Sequence, residues 1–227
     1  MTDIECRTDP VVTEIVRNGV IAITEEMKSN LMRTAYNMII YEALDFTVGL
    51  FTARGETISI GLGLPMFIRG MAETIKAKLE HFGTENIRPG DILLTNDAYI
   101  TGSHLNHLTF SMPIFDEEKL IGFACCMAHW PDIGGTLDGI TTDIYSEGLQ
   151  IPIVKYQREG VVNEEIVDII KTDDGQTKCL LRWQDMQIAR SPHQLRTHEL
   201  AFYDDHVFDA FAVYCLLYTS DAADEGL

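Results

Sequence analysis

The sequence predicts an α+β chain, with one long N-terminal helix packed on a mostly antiparallel or mixed sheet. Three observations carry this expectation. Between Val11 and Ile40, Ile15, Ile23, Met27, Leu31, Ala35 and Ile39 recur in four-residue steps, with Val12, Val16 and Val20 beside them, as one apolar stripe of a helix. From Asp45 to Met127, short apolar and β-branched runs alternate with glycine, proline and acidic turn residues. Of 227 residues, 46% are hydrophobic, enough core for one large domain or two small ones.

Taken in order, Asp9-Pro10 suits the start of the long helix, because proline fits a first turn. Gly19 predicts a weak point or bend in it. Met27, Met32 and Met38 read as core filler, and the helix as scaffold or subunit interface. Asp45–Thr52 and Thr57–Ile60 read as a β-hairpin with Arg54-Gly55 as its turn. Gly61-Leu-Gly-Leu-Pro65 breaks the sheet and leads to a helix over Met66–His81, whose buried face is Ile68, Met71, Ile75 and Leu79 and which Phe82-Gly83 ends. Arg88-Pro-Gly-Asp91 is turn chemistry ahead of the strand Ile92–Thr95. Thr109–Phe115 and Leu120–Met127 read as strands joined by the acidic turn Asp116–Lys119, with Pro113 making the first an edge strand or interrupting it. A short helical stretch over Thr141–Gly148, a strand at Val154–Tyr156, a turn at Gly160 and an amphipathic helix over Val162–Ile170 complete the order.

Composition narrows the function. With 17 basic against 35 acidic residues the formal charge is −18, which argues against nonspecific nucleic-acid binding and for a solvated acidic surface. No apolar run reaches the roughly 18 uncharged residues that span a bilayer, and Met1-Thr-Asp-Ile-Glu-Cys lacks the order of a signal peptide, so a cytoplasmic chain without membrane association is expected. Five cysteines at no framework spacing argue against a disulfide scaffold. Cys125-Cys126 lie in an apolar run as filler, with a nucleophilic Cys–His pairing to His129 as the minor alternative.

The chemistry concentrates between Asn96 and Gly135. Three of the seven histidines lie here, His104 and His107 in a glycine-containing loop and His129 at the end of the apolar run Leu120–Ala128. A strand ending in one histidine beside a looped pair can assemble a three-ligand metal centre, with Asp97 or Asp132 adding a carboxylate oxygen. Against this stands the plain structural reading, since a histidine in apolar surroundings is more often a hydrogen-bonded core residue. Asp97 serves equally as ligand support or as a cap.

Glu42-Ala-Leu-Asp-Phe-Thr47, Pro89-Gly-Asp-Ile-Leu-Leu-Thr-Asn-Asp97, Gly102-Ser-His-Leu105, Ala128-His129 with Asp132-Ile-Gly-Gly135, and Glu147-Gly-Leu-Gln-Ile-Pro152 resemble the hydantoinase B/oxoprolinase family. The motifs stand in the family's order over roughly residues 9–171. The resemblance implies a divalent metal, Mn or Zn, held at His104, His107 and His129 with an acid from the first motif, Glu42 or else Asp45. It departs from the family's N-D-P-Y-x-G-G-x-H-L-P-D pattern at Ala98, Thr101, Asn106 and His107, which replace proline, glycine, proline and aspartate. Trp130 stands where a second histidine is common. Histidine for aspartate removes one negative charge and softens the site.

The resemblance further implies a subunit of an ATP-dependent cyclic-amide hydrolase of the hydantoinase/5-oxoprolinase type. From the ligand set, a metal-generated hydroxide or a nearby base such as Asp132 would open the activated ring. ATP would be bound by a hydantoinase A-type partner subunit, consistent with the absence of a G-x-x-x-x-G-K-[ST] loop here. A subunit of an acetone- or acetophenone-type carboxylase, acting on a small carbonyl substrate, is the alternative. A non-catalytic structural partner, its pattern broken at His107 and Trp130, is the reading from another class. After Lys171 the likeness fades, and the chain is expected to be the N-terminal fragment of a larger subunit. Residues 172–214 read as a divergent continuation, which a shifted frame would explain, and His193, His198 and His206 match no motif. Cys215–Glu225, within the tail 215–227, resembles translated sequencing adapter and is set aside from fold reasoning.

Overall fold

The computed structural model describes residues 10–35, 38–64, 67–130, 133–135, 141 and 143–171. Helix α1 (Pro10–Thr34) and the short α2 (Met38–Tyr41) precede the hairpin β1 (Phe46–Thr52) and β2 (Thr57–Leu62). Helix α3 (Ile68–Phe82), strand β3 (Ile92–Thr95), the one-turn α4 (Ala98–Thr101), the hairpin β4 (His107–Asp116) and β5 (Lys119–His129), strands β6 (Val154–Arg158) and β7 (Val161–Val162), and α5 (Glu164–Lys171) follow. The strands form one seven-stranded sheet in the order β2-β1-β5-β4-β3-β6-β7. Every pairing is antiparallel, so the sheet is not mixed.

Each face of the sheet carries its own core. Ile23, Met27 and Leu31 of α1 and Val167 and Ile170 of α5 pack with Phe46, Val48, Leu108, Phe110, Ala124 and Cys126 on one face. Met71 and Ile75 of α3 pack with Phe51, Leu93, Phe123, Cys125 and Met127 on the other. Alternation along β4 and β5 therefore assigns odd-numbered residues to the α3 face, and that parity carries His107 and His129 there.

Several elements differ from the sequence expectation for physical reasons. The predicted 11–40 helix ends at Thr34 and restarts at Met38. Four-residue steps advance about 400° on a helix of 3.6 residues per turn, so the stripe drifts about 40° per step. Ile23, Met27 and Leu31 are buried, whereas Ile15 has rotated away and is 52% exposed. Helix α1 runs through Gly19. In α3, Thr74 and Lys78 join Met71 and Ile75 on the buried face, and Gly83, at φ 73°, ends the helix by donating to the Leu79 carbonyl. Strand β2 continues through Gly61 to Leu62 instead of breaking there. Pro113 sits in a central strand, paired with Phe123 of β5. On its other side β3 reaches only to Ser111, so the missing N–H faces no ladder. Only a 3-10 turn, Ile144–Ser146, forms where a helical stretch was expected. Among the described residues, no helix is long and apolar enough to cross a membrane.

Candidate functional site

The site is built at one end of the β4–β5 hairpin. Asp116 pairs with Lys119 across the Glu117-Glu118 turn, and an uninterrupted ladder from there would set His107 opposite Ala128. A bulge interrupts it between Ile114 and Phe115, where Ile114 pairs with Gly122 and Phe115 with Leu120. This one-residue shift sets His107 opposite His129 instead. Because a slip of one residue reverses every side chain's face, the bulge is what turns both imidazoles to the same side.

The loop between α4 and β4 adds the third ring. His104 is exposed and lies edge-on to His107 at 4.4 Å between ring centroids and 5.1 Å from His129, while His107 and His129 are also 5.1 Å apart. Phe67, at the start of α3, covers the other side of His107 at 4.4 Å. The carboxylate at the cluster is Asp45, whose Oδ1 lies 3.0 Å from His107 Nε2. The Asp45 carbonyl accepts from the His129 N–H at 3.1 Å, which fixes the end of β1 against β5. Leu44 turns the chain here with φ 57°. Glu42 is left exposed just past α2, so of the two acids considered for this place Asp45 is the one bonded to an imidazole, that of His107.

A second set of bonds holds the loop. His107 Nδ1 is 2.8 Å from Ser103 Oγ, and His104 Nδ1 is 3.0 Å from Asn106 Oδ1. Asn106 also donates from Nδ2 to the Trp130 carbonyl at 2.8 Å and accepts the Trp130 N–H at its own carbonyl. The peptide of Leu105, between the two loop histidines, is clamped from both sides. Its N–H donates to Glu147 Oε2 at 2.8 Å and its carbonyl accepts from Asn96 Nδ2 at 2.7 Å. Asn96, fully buried, donates as well to the Leu149 carbonyl and accepts the Ile151 N–H, tying the loop to the 147–151 segment. Asn96 and Glu147 lie in motifs legible in the sequence, but their clamping role needs contacts from far along the chain.

The remaining candidates fall elsewhere. Asp97 caps α4, its Oδ1 accepting the Tyr99 N–H at 3.0 Å. Asp132 lies outside the described residues, as do His193, His198 and His206. The Cys–His pairing is not formed. Cys125 is four residues from His129 along β5, about 13 Å in an extended strand, and lies across the ladder from Ser111. Burial pushes the Cys125 thiol up to about 12 and the Cys126 thiol further up, so neither is a thiolate near neutrality.

Electrostatics suits a cation. Burial alone would raise the Asp45 carboxyl, but the His107 hydrogen bond and the attraction of all three imidazoles outweigh it and hold the carboxyl below its ordinary value. Burial lowers His107 against the opposing pull of Asp45, and burial together with His107 brings His129 down to about 4. The cluster thus offers His107 and His129 as neutral imidazoles beside an ionised carboxylate, the protonation states that first-row divalent ions require of their ligands. Two donors bound about 2.1 Å from one ion lie roughly 3.0–3.4 Å apart, and the Asp45–His107 spacing of 3.0 Å is in that range. Among the described residues no three such side chains already converge on one point, so the rings would have to turn to share an ion. In donor chemistry and proximity, Asp45, His104, His107 and His129 fit a divalent metal.

Comparison with known proteins agrees with the fold and the motifs. The chain is 33% identical to 5-oxoprolinase 1 of Arabidopsis thaliana over 75% of its length, and 30% identical, over 83%, to a Pseudomonas protein named as the B-type subunit of a D-/L-hydantoinase. It spans 14% and 33% of those two relatives. Among solved structures, the ATP-dependent caprolactamase from Pseudomonas jessenii shares the fold with a TM-score of 0.68 at 24% identity, covering 92% of this chain and 37% of that one. The family model described as Hydantoinase B/oxoprolinase matches residues 9–201, beyond the point where the motifs end. By that match the chain belongs to the hydantoinase B/oxoprolinase family.

Proposed function

We propose that this chain is part of the B-type subunit of a cytoplasmic, ATP-dependent cyclic-amide hydrolase of the hydantoinase/5-oxoprolinase type. ATP and the activation step belong to a hydantoinase A-type partner subunit. The reading rests on one observation, the proximity of three imidazoles and Asp45 at the end of the β4–β5 hairpin. Asp45, His104, His107 and His129 would hold a divalent metal, Mn or Zn. When bound, the ion supplies a Lewis acid that polarises the carbonyl or phosphoryl oxygen of an activated ring.

The chain's own residues do the rest. His104, exposed where His107 and His129 are not, is the ring that meets incoming substrate. Phe67, nearly buried, covers the inner side of the cluster at His107. The Glu147 and Asn96 clamp on Leu105 keeps His104 and His107 at fixed separation, which is what a catalytic centre requires of its supporting bonds.

Elemental mass spectrometry of the purified chain, beside a His104→Ala/His129→Ala double variant, tests this reading. About one Mn or Zn per chain in the wild type, lost in the variant, is the expected result. No ion in either protein after both metals have been supplied would refute it and leave a structural partner subunit in its place.

A further inference from the structure

We propose that Asn106 is a positioning residue that locks His104 with its proton on Nδ1, so that the Nε2 lone pair is permanently available to a metal. The inference rests on the metal reading above and adds a specific residue and a specific tautomer to it.

Donor and acceptor chemistry fixes the tautomer. The Trp130 carbonyl can only accept, so the Asn106 group 2.8 Å from it is the amide NH2. The other end of the same amide is then the oxygen, and it faces His104 Nδ1 at 3.0 Å. An amide oxygen can only accept, so His104 Nδ1 carries a proton, and in the neutral ring Nε2 carries the lone pair. The two bonds depend on one another: turning the amide over would set two acceptors face to face at Trp130.

His107 is held the other way. Its Nε2 meets the ionised Asp45 carboxylate at 3.0 Å, which can only accept, so the neutral ring carries its proton on Nε2 and its Nδ1 accepts from the Ser103 hydroxyl at 2.8 Å. Asn106 and Asp45 thus set opposite tautomers on the two loop histidines. The lock also acts where it is needed, because His104 is the solvent-exposed ring of the three and a free neutral imidazole prefers its proton on Nε2.

The test uses the metal-free chain, labelled with 15N, and long-range proton–nitrogen NMR at a pH where His104 is neutral. It compares the wild type with Asn106→Ala and Asn106→Asp. Both variants lose the donor to Trp130, but aspartate keeps an acceptor for Nδ1–H, so their difference isolates the bond to His104. The expected result is Nδ1–H in the wild type and in Asn106→Asp, and Nε2–H in Asn106→Ala. Zinc affinity, measured by competition with a chromophoric chelator, should fall about 10–100-fold in Asn106→Ala, the usual effect of losing such a supporting bond. Asn106→Asp should bind more tightly than Asn106→Ala. Nε2–H in the wild type, or zinc binding by Asn106→Ala within about twofold of the wild type, would overturn the proposal. Failure of the wild type to bind zinc or manganese would overturn the metal reading instead. The tautomer, read without metal, would still decide the role of Asn106.

Discussion

Lys78 gives the sharpest quantitative prediction. It lies on the sheet-facing side of α3, fully buried, with Nζ 3.1 Å from the Leu93 carbonyl, 2.9 Å from the Thr109 carbonyl and 2.8 Å from Ser111 Oγ. Burial, only slightly opposed by Cys125, lowers its pKa from 10.5 to about 7. Below pH 7 the amine is protonated in both folded and unfolded chains, and the folded state bears the whole desolvation cost. Between pH 7 and 10.5 the unfolded chain binds more protons, so stability rises with pH; above that interval the difference vanishes. At about 1.36 kcal/mol per pH unit, the stability of the wild type relative to Lys78→Met should rise by about 3 kcal/mol between pH 7 and 9.5. Methionine keeps the volume and removes the titration. The assay is urea unfolding of both proteins at half-unit pH steps, in which groups common to both cancel. The three acceptors match the three N–H donors of an ammonium, so 3 kcal/mol is an upper figure. Parallel stability curves across the interval would refute the reasoning and show the amine charged throughout.

Three further outcomes follow from the site's supporting structure. Asn96→Ala should cost roughly 3–5 kcal/mol in urea unfolding, because it orphans the Leu105 and Leu149 carbonyls and the Ile151 N–H; a loss under about 1 kcal/mol would show that the clamp is dispensable. Glu147→Gln should speed hydrogen exchange at the Leu105 amide by roughly tenfold, since a bond to a charged group, about 1.5–3 kcal/mol, becomes one to a neutral oxygen, about 0.5–1.5 kcal/mol, and unchanged exchange would contradict the Oε2 contact. Gly70→Ala should destabilise the chain by about 1–3 kcal/mol despite alanine's better helix propensity, because the added Cβ would overlap the Thr101 carbonyl of α4; a raised unfolding midpoint would refute that packing.

Much of the fold was legible because its signals are local. Arg54-Gly55 turns the first hairpin with Gly55 at φ 78°, and Phe82-Gly83 ends α3, since a residue able to adopt positive φ marks the place wherever it stands in the chain. The three histidines were legible as a group from their concentration around one glycine-containing loop and one strand end. Ser103 and Asn106 were legible only as motif positions, because hydrogen-bonding capacity is common to most polar loop residues and only geometry selects which is used.

Sequence alone determined the residue types at the site, the order of helices and strands, and the turns between them, all of which follow from periodicity and local backbone preference. Tertiary structure decided the rest. It buried Lys78, which composition would place in water, because three strand groups meet its amine. It brought Asp45 to His107 where Glu42 was the first expectation, because the turn at Leu44 directs only the later acid into the sheet. It set His107 opposite His129 through a single bulge, and without that bulge the two rings would face opposite sides of the sheet. Register and burial depend on residues far apart in the chain pairing at once, and that is information no local window of the sequence contains.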